Sequence, residues 1–251
     1  MYRNERHNEI IKLLTEKGYM TVEQLSKLLF ISESSIRRDL TALEGQGIVN
    51  RSYGGAELIK NSTQILPFST RAHQNIAAKK IMARKACGLI QEGDIVFLDQ
   101  SSSAFFVACE LLKKTNITIV TNNIEILSLL SQSDIHTYSS GGHLSSSNRN
   151  CLIGSDAHRI FSEIHADILF FSAKALSEDG IIYDCDREEI CLRNTMLSNA
   201  SRKVFLCSSD KINSHSGYRQ CLLSEVDCFI TDLNHLENYP NLMEYKGMHV
   251  D

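Results

Sequence analysis

Two adjacent arginines, Arg37 and Arg38, stand in the second of two short helical patterns near the start of the chain. Ser34 and Ser35 come just before them in the same pattern. The forked guanidinium group of arginine binds guanine edges or phosphates, and serine hydroxyls bind phosphates or base edges. An α-helix fits the major groove of DNA and reads bases with its N-terminal residues. The residue types and their spacing therefore predict that these four side chains contact double-stranded DNA.

Two capped helices joined by a short turn are predicted to position these side chains. Thr21, with Gln24 three positions later, forms a capping box, and Ser32 is a strong N-cap residue before the second helix. Apolar residues recur at helical spacing in both segments, and the short connection is typical of a helix-turn-helix. An earlier helix, over residues 3–17, is expected to complete the core. We count both caps, Thr21 and Ser32, among the DNA-contacting residues.

A hairpin is predicted after the second helix. Residues 48–52 are β-prone, a turn follows at residues 53–55, and residues 56–60 return along the first strand. This pattern indicates a wing whose Arg51, Tyr53, Gly54 and Gly55 contact phosphate or the adjacent minor groove. The alternative is a small helical subdomain in which the two arginines are simply solvated.

Length and composition predict a sizeable apolar core and no membrane partner. The chain has 251 residues and is 43% hydrophobic. Its net charge is −4, so a positive DNA-binding surface must come from the way its basic residues are arranged and not from an excess of them. Its eight cysteines form no CxxC pair, and the histidines lack ligand spacing. With no secretory signal or membrane-length apolar run, we expect reduced thiols in a cytoplasmic protein. We predict no metal, no cofactor and no catalytic residue.

Two domains are expected, at residues 1–60 and 71–251, joined by a polar linker over residues 61–70 that contains Pro67. A long amphipathic helix is predicted over residues 71–91. Beyond it, short apolar runs alternate with helical patterns, which favours a parallel sheet covered on both faces. The predicted strands are 95–98, 117–121, 136–138, 168–172, 204–207 and 228–231, and the helices are 104–113, 124–131, 155–164 and 188–199.

Small polar residues cluster where the predicted strands end. Ligands of such sheets bind outside the carboxyl ends of the strands, and hydroxyls, glycine amides and helix N-termini bind anions. A shared anionic or polyhydroxyl ligand is therefore expected there, although each loop taken alone could be an ordinary cap or turn. Glu189 either joins the site or only complements a helix dipole. The candidate residues from these loops are Asp99, Ser101, Ser102, Ser103, Thr121, Asn122, Gly141, Gly142 and Lys211.

The sequence resembles the DeoR-type bacterial sugar-metabolism repressors over nearly its whole length. The resemblance is most specific near the N-terminus, in residues 21–26, 36–40, 43–47 and 53–56. It continues through residues 93–99, Thr121-Asn122, Gly141-Gly142, Met196 and Ser208-Ser209-Asp210-Lys211. Two positions depart from the family pattern: Ser101 stands where glycine is common, and Asp210 places an acid beside Lys211.

This resemblance implies an α/β fold, with an N-terminal winged helix-turn-helix and a C-terminal parallel-sheet sensor domain resembling sugar-phosphate isomerases. It implies a repressor of a carbohydrate-metabolism operon that binds operator DNA as a homo-oligomer, dimer or tetramer, under control of a phosphorylated sugar. Carried over by position, the effector pocket would include the candidates above together with Glu189. Lys174, which lies in a strand-end loop, is a further basic candidate.

Two other functions fit parts of the sequence. An isomerase or deaminase acting on a sugar phosphate would use Asp99, Glu189 and Lys211 as acid, base and phosphate-binding groups. Such an enzyme would have no use for residues 1–60. The third hypothesis is a DNA-binding protein whose second domain only mediates dimerisation.

Overall fold

The computed structural model describes residues 3–45, 48–59, 65–237 and 239–250. It divides the chain into two compact units, Met1–Gln74 and Asn75–Asp251. Residues 46 and 47 of the family resemblance, residue 60 of the wing and residues 61–64 of the linker lie outside the described residues. Among the described helices, none combines the length and the apolar character needed to cross a membrane.

The N-terminal unit is the predicted winged helix-turn-helix. Its described sheet is antiparallel, with strand order β1-β3-β2. Apolar side chains from three helices and the hairpin form one core, which includes Ile10, Leu25, Ile36, Leu40 and Val49. The elements are α1 (Arg3–Lys17), β1 (Met20–Thr21), α2 (Val22–Leu29), α3 (Glu33–Gly45), β2 (Val49–Ser52), β3 (Gly55–Leu58) and α4 (Phe68–His73).

The prediction of one long helix over residues 71–91 is wrong, because the chain forms two helices there. Helix α4 begins at Phe68, after Pro67, and ends at His73, and helix α5 spans Ile76–Cys87. Asn75 between them has a left-handed backbone with φ of 51°, a conformation that asparagine tolerates better than most residues. The apolar periodicity continues across the break, so periodicity alone could not reveal it.

The C-terminal unit contains the predicted parallel sheet and a second, antiparallel sheet. After α5, its strands and helices are β4 (Ile95–Leu98), α6 (Ser102–Leu111), β5 (Thr118–Thr121), α7 (Ile124–Leu130), β6 (His136–Ser139), β7 (His143–Leu144), β8 (Leu152–Ile153), α8 (Ser155–Glu163), β9 (Ala166–Phe171), β10 (Ala175–Leu176), β11 (Ile181–Asp184), α9 (Arg187–Ser198), β12 (Ala200–Leu206), β13 (Tyr218–Leu222) and β14 (Cys228–Ile230). Short 3-10 helices span Ser209–Lys211, Leu223–Glu225 and Pro240–Met248.

Six parallel strands form the centre of this unit, in the order β14-β12-β9-β4-β5-β6. Side chains alternate between the two faces of each strand. Phe97 packs into a core with Phe161 and Met196 of α8 and α9, whereas Val96 and Leu98 pack into a second core with helices α5 to α7. The expected parallel sheet with helices on both faces is confirmed.

The second sheet was not predicted. Strands β10, β11 and β13 pair antiparallel in that order, and a short hairpin joins β7 to β8. Strands of two to five residues separated by turns leave little periodicity in the sequence. The β7–β8 hairpin supplies partners of two candidate residues: Leu152 accepts from Asn122, and Asn148 donates to Glu189.

Candidate functional site

The capping box predicted at the start of α2 is present, and Ser32 takes the N-cap position of α3. The Thr21 hydroxyl accepts a hydrogen bond from the Gln24 amide at 3.1 Å, and the Gln24 side chain accepts one from the Thr21 amide at 2.9 Å. The Ser32 carbonyl accepts from the Ile36 amide at 3.1 Å, so Ser32 directly precedes the first turn of α3. Its hydroxyl lies 3.1 Å from the hydroxyls of both Ser34 and Ser35.

Helix α3 exposes the arginines that the sequence singles out. Ile36, Leu40 and Leu43 are buried on one side, whereas Ser34, Arg37, Arg38 and Thr41 are exposed and Ser35 is half-buried. Arg37 donates to Glu33 at 2.9 Å, and Arg38 lies 3.3 Å from the Ser35 hydroxyl. The outward face therefore presents two cations and several hydroxyls, which are groups that bind phosphates and guanine edges.

Asp39, next to these arginines in sequence, points the other way and serves the fold. Its buried carboxylate accepts from Arg6 of α1 at 2.5 and 3.0 Å and lies 3.2 Å from a ring nitrogen of His7. Burial alone would raise the pKa of Asp39, but its hydrogen bonds and its attraction to Arg6 and His7 prevail and lower that pKa. This carboxylate fixes α3 against α1.

The wing is a hairpin of β2 and β3 with Tyr53 and Gly54 at its tip. Gly54 has φ of 78°, a conformation that favours glycine, and the Tyr53 side chain is fully exposed. The Tyr19 hydroxyl lies 3.1 and 3.0 Å from the carbonyl oxygens of Ser52 and Tyr53, so it holds the turn in place. A Cβ on Gly55 would lie 2.3 Å from the Met20 carbonyl oxygen, which explains the glycine there.

A groove of about 360 Å³ separates α3 from the wing. Arg51 of β2 bridges its two walls by donating to Thr41 of α3 at 2.7 Å, and it lies 3.5 Å from the Glu44 carboxylate. The groove combines two guanidinium groups with backbone amides and carbonyls, as a surface facing a phosphate backbone requires. It is lined by Val22, Arg37, Arg51, Ser52, Tyr53, Gly54 and Gly55.

In the C-terminal unit, Asp99 follows β4 and is completely buried. One of its oxygens accepts from the Ser101 amide at 3.0 Å, and the other accepts from the Ser172 amide at 3.1 Å and from Arg193 Nε at 3.2 Å. Arg193 also donates to Asp184 at 2.9 Å and to Gln220 at 2.7 Å. Asp99 thus joins the ends of β4 and β9 to helix α9 and the antiparallel sheet.

Glu189 lies in a second buried cluster beside the first. Its two carboxylate oxygens accept from Gln100 at 2.6 Å and from Asn148 at 2.7 Å. Asp186 caps α9 by accepting from the amides of Glu188 and Glu189. Because both of its oxygens accept from side-chain amides, Glu189 does more than complement the helix dipole: it connects the loop after β4 to the loop between β7 and β8.

Lys211 reaches the same edge of the sheet from the 3-10 helix after β12. Its ammonium donates to the Ser172 hydroxyl at 2.9 Å and to the Ala173 carbonyl at 2.8 Å. Burial lowers the pKa of Lys211, against the opposing effect of Asp210 and Asp184, and the charge of Lys174 lowers it further. Lys211 therefore places a cation beside Ser172, whose amide also binds Asp99, and Lys174 is close enough for its charge to act on Lys211.

Three buried polar atoms at this edge have no hydrogen-bond partner among the described residues: Ser103 Oγ, Asn122 Oδ1 and Ser208 Oγ. They follow three strands of the parallel sheet, β4, β5 and β12. A buried hydroxyl or amide without a partner costs about 1–3 kcal/mol, so native proteins rarely keep one without a use. A polar ligand that reached these atoms would recover that cost.

Other residues predicted to bind a ligand at this edge are hydrogen-bonded to groups of the protein or held in its helices and turns. Ser101 caps α6 by accepting from the Ala104 amide at 3.0 Å, and the Thr121 hydroxyl donates to the Leu98 carbonyl at 2.8 Å. Ser102 is buried in the first turn of α6. Gly141 and Gly142 have φ of 66° and 91°, and a Cβ on Gly142 would lie 2.2 Å from the Ile153 carbonyl oxygen. Gly141 bonds to its own neighbours: its amide donates to the Ser139 hydroxyl at 3.1 Å, and its carbonyl accepts from the Ser140 hydroxyl at 3.1 Å.

Several central residues escaped the sequence analysis. Arg193, Ser172, Gln100 and Asn148 hold the candidate side chains together, but the sequence did not lead us to choose any of them as a site residue. Ser172 follows β9 directly, so the rule that selected the other strand-end residues could have found it. Arg193 lies in the middle of α9 and leaves no comparable signal.

Among the residues that the structure describes, the cysteines and acidic groups give no indication of a metal site. All eight cysteines are free thiols. Burial raises the pKa of Cys185, Cys207 and Cys221 to about 12 in each case, so these thiols stay protonated at neutral pH. Within the described ranges, no group of three or more His, Cys, Asp or Glu side chains is placed to hold a metal ion.

Comparison with known proteins gives matches over both units. The DeoR-like helix-turn-helix domain matches residues 6–62, and the DeoR C-terminal sensor domain matches residues 74–233. The HTH-type transcriptional repressor GlcR of Bacillus subtilis is 31% identical over 99% of this chain and 95% of its own length. The glycerol-3-phosphate regulon repressor of Escherichia coli is 28% identical over 92% of each chain. Among solved structures, ribose 5-phosphate isomerase A of Methanocaldococcus jannaschii matches 53% of each chain at 18% identity with a TM-score of 0.41, too low to bear on function.

Proposed function

Since the chain belongs to the DeoR family of helix-turn-helix transcriptional regulators, we propose that a phosphorylated sugar controls its binding to operator DNA. It is a DNA-binding regulator of the kind that represses sugar operons, and its relatives are named as regulators and repressors rather than enzymes. One such relative is named for the glycerol-3-phosphate regulon. The enzyme alternative also loses support from the geometry, because Asp99 is fully occupied by protein donors.

The observation that carries the effector proposal is the set of unpartnered atoms on Ser103, Asn122 and Ser208. Serine hydroxyls and an amide oxygen suit the oxygens and hydroxyls of a sugar phosphate. Lys211 and Lys174 supply positive charge, and the N-terminus of α6 adds a partial positive charge beside Ser103. Gln100 of the Glu189 cluster accepts from Asn122, and Ser172 of the Asp99 cluster accepts from Lys211, so these two groups of the proposed pocket are preorganised.

Operator contact is assigned to the outward face of α3 and to the wing. Arg37 and Arg38, with Ser34 and Ser35, would enter the major groove, and Arg51 and the turn at Tyr53 would face the sugar-phosphate backbone. Thr21 and Ser32 would contribute as caps beside the DNA. We place the protein in the cytoplasm as a homo-oligomer, because one weakly charged module offers little affinity and operators commonly present paired half-sites.

The effector can alter DNA affinity only by as much as its own affinity differs between the DNA-bound and free conformations. The test combines two measurements on the full-length protein: thermal unfolding and binding to a fluorescent duplex from the region upstream of its gene. Each is made with a panel of sugar phosphates and with the matching unphosphorylated sugars. At a hundred times its dissociation constant, a true effector should stabilise the protein by about 2.7 kcal/mol.

Two variants localise the site. Because the hydroxyls of Ser103 and Ser208 have no protein partner, Ser103→Ala and Ser208→Ala should leave the unfolding temperature of the free protein unchanged or raise it. Both should reduce the stabilisation by the effector. Ser101→Ala is the matched control, since it removes a helix cap and should lower stability by about 0.5–2 kcal/mol. Unchanged unfolding and unchanged DNA binding across the whole panel would instead favour a sensor domain that only mediates dimerisation.

A further inference from the structure

An acidic side chain, Glu33, occupies the first turn of the helix proposed to enter DNA. It lies 2.9 Å from Arg37, and both side chains are exposed, to 47% and 61% respectively. An α-helix turns by about 100° per residue, so one stripe along α3 carries Glu33, Arg37, Thr41 and Glu44. This stripe borders the groove beside the wing, where Arg51 lies 3.5 Å from Glu44.

The charges of this stripe are balanced once Arg51 of β2 is included, since Arg37 pairs with Glu33 and Arg51 with Glu44. DNA affinity that is independent of sequence comes from uncompensated cations near phosphates. A carboxylate at the same place repels phosphates and lowers that affinity. A favourable use of Glu33 in the major groove is to accept a hydrogen bond from an exposed base amine, and cytosine N4 is the characteristic partner of a carboxylate.

We infer that Glu33 is a specificity-determining residue that accepts a hydrogen bond from cytosine N4 in the operator. Its ion pair with Arg37 holds the arginine beside it, oriented to donate to a guanine of a neighbouring base pair. This inference rests on the DNA-binding face proposed above. If Glu33 only interacted favourably with the helix dipole at the start of α3, removing its carboxylate would change the stability of the protein and leave its base preference unchanged.

The test is selection of bound duplexes from a randomised DNA pool by the full-length protein and its variants, followed by sequencing. We expect the wild-type protein to prefer C·G at one defined operator position. Glu33→Ala should lose the preference at that position, with a roughly ten- to hundredfold fall in discrimination. It should also weaken the preference for guanine at the neighbouring base pair, because Arg37 loses the partner that orients it. Glu33→Gln should redirect the preference to A·T, because a glutamine amide pairs with adenine N6 and N7.

Glu23→Ala is the matched control, because Glu23 and Lys27 form an exposed ion pair of the same spacing on α2, with their charged atoms 2.6 Å apart. It should retain every base preference. The inference is overturned if Glu33→Ala keeps the wild-type preferences, or if it folds, as judged by circular dichroism, but selects no sequence. A wild-type protein that selects no sequence would refute the proposed DNA-binding face itself, and Glu33 with it.

Discussion

Replacing Arg193 with methionine should destabilise the C-terminal unit strongly. Arg193 is 1% exposed, and its guanidinium binds Asp99 and Asp184, which are 0% and 9% exposed as side chains. Methionine keeps much of the volume and removes the charge. Two buried carboxylates would then lose the cation that they share, and Asp99 would keep its two backbone donors, from Ser101 and Ser172.

Breaking a buried ion pair by removing one partner costs about 3–5 kcal/mol. For a unit of this size, each kcal/mol lowers the melting temperature by about 2–4 °C. The expected fall is therefore about 6–20 °C. Arg193→Lys keeps one charge but loses the forked geometry that reaches both carboxylates, so it should give an intermediate fall.

The assay is thermal unfolding of the full-length protein followed by far-UV circular dichroism. Arg159→Met is the matched control, because the Arg159–Asp156 pair is exposed and its atoms are 3.9 Å apart. An exposed pair contributes about 0–1 kcal/mol, so the control should unfold close to the wild type. The reasoning fails if Arg193→Met and Arg159→Met unfold within about 2 °C of each other.

Two further predictions concern the DNA-binding module. Tyr19→Phe removes the hydroxyl that contacts the carbonyls of Ser52 and Tyr53. DNA affinity should fall about fivefold, which corresponds to the loss of one hydrogen bond of about 1 kcal/mol, and the helix content should stay unchanged. Fluorescence anisotropy with a labelled operator duplex measures the affinity. An undiminished affinity would show that the wing needs no such support. Because the folded pKa of Asp39 is lowered, its stabilisation is present above the unfolded carboxyl pKa of about 4 and is lost as pH falls through the folded value. Urea unfolding of the wild type and of Asp39→Asn between pH 7 and pH 3 should give free energies of unfolding that converge as the pH falls. A difference in these free energies that stays constant with pH would contradict the Arg6–Asp39 assignment.

Much of the fold could be predicted because its determinants are local. The capping box of Thr21 and Gln24, the turn at Gly54 and the continuous apolar strands each involve neighbours within a few residues. The break at Asn75 could not be predicted, since the apolar periodicity runs on through it. The antiparallel sheet of β10, β11 and β13 also depends on pairing between distant segments: Ile181 pairs with Leu222.

The site shows the same division between local and distant determinants. The rule that strand ends carry ligand-binding residues led to Asp99, and the structure places Asp99 at that edge. Its decisive partner, Arg193, is 94 positions away in sequence, and no local pattern predicts a pairing over that distance. Likewise, Arg37-Arg38-Asp39 looks like one polar cluster in the sequence, but only the arginines face outward, because Arg6 and His7 bind the aspartate inside.

The hydrogen bonds at the carboxyl edge therefore separate two groups of polar residues that the sequence could not distinguish. Asp99, Thr121 and Glu189 are satisfied by protein groups, so any ligand contact from them would have to displace a buried partner. Ser103, Asn122 and Ser208 each retain an atom without one. Since leaving such atoms unsatisfied costs free energy, a ligand that binds them recovers that cost while the first group stays intact. Substitutions in the two groups should accordingly differ, with the first lowering stability and the second lowering ligand affinity.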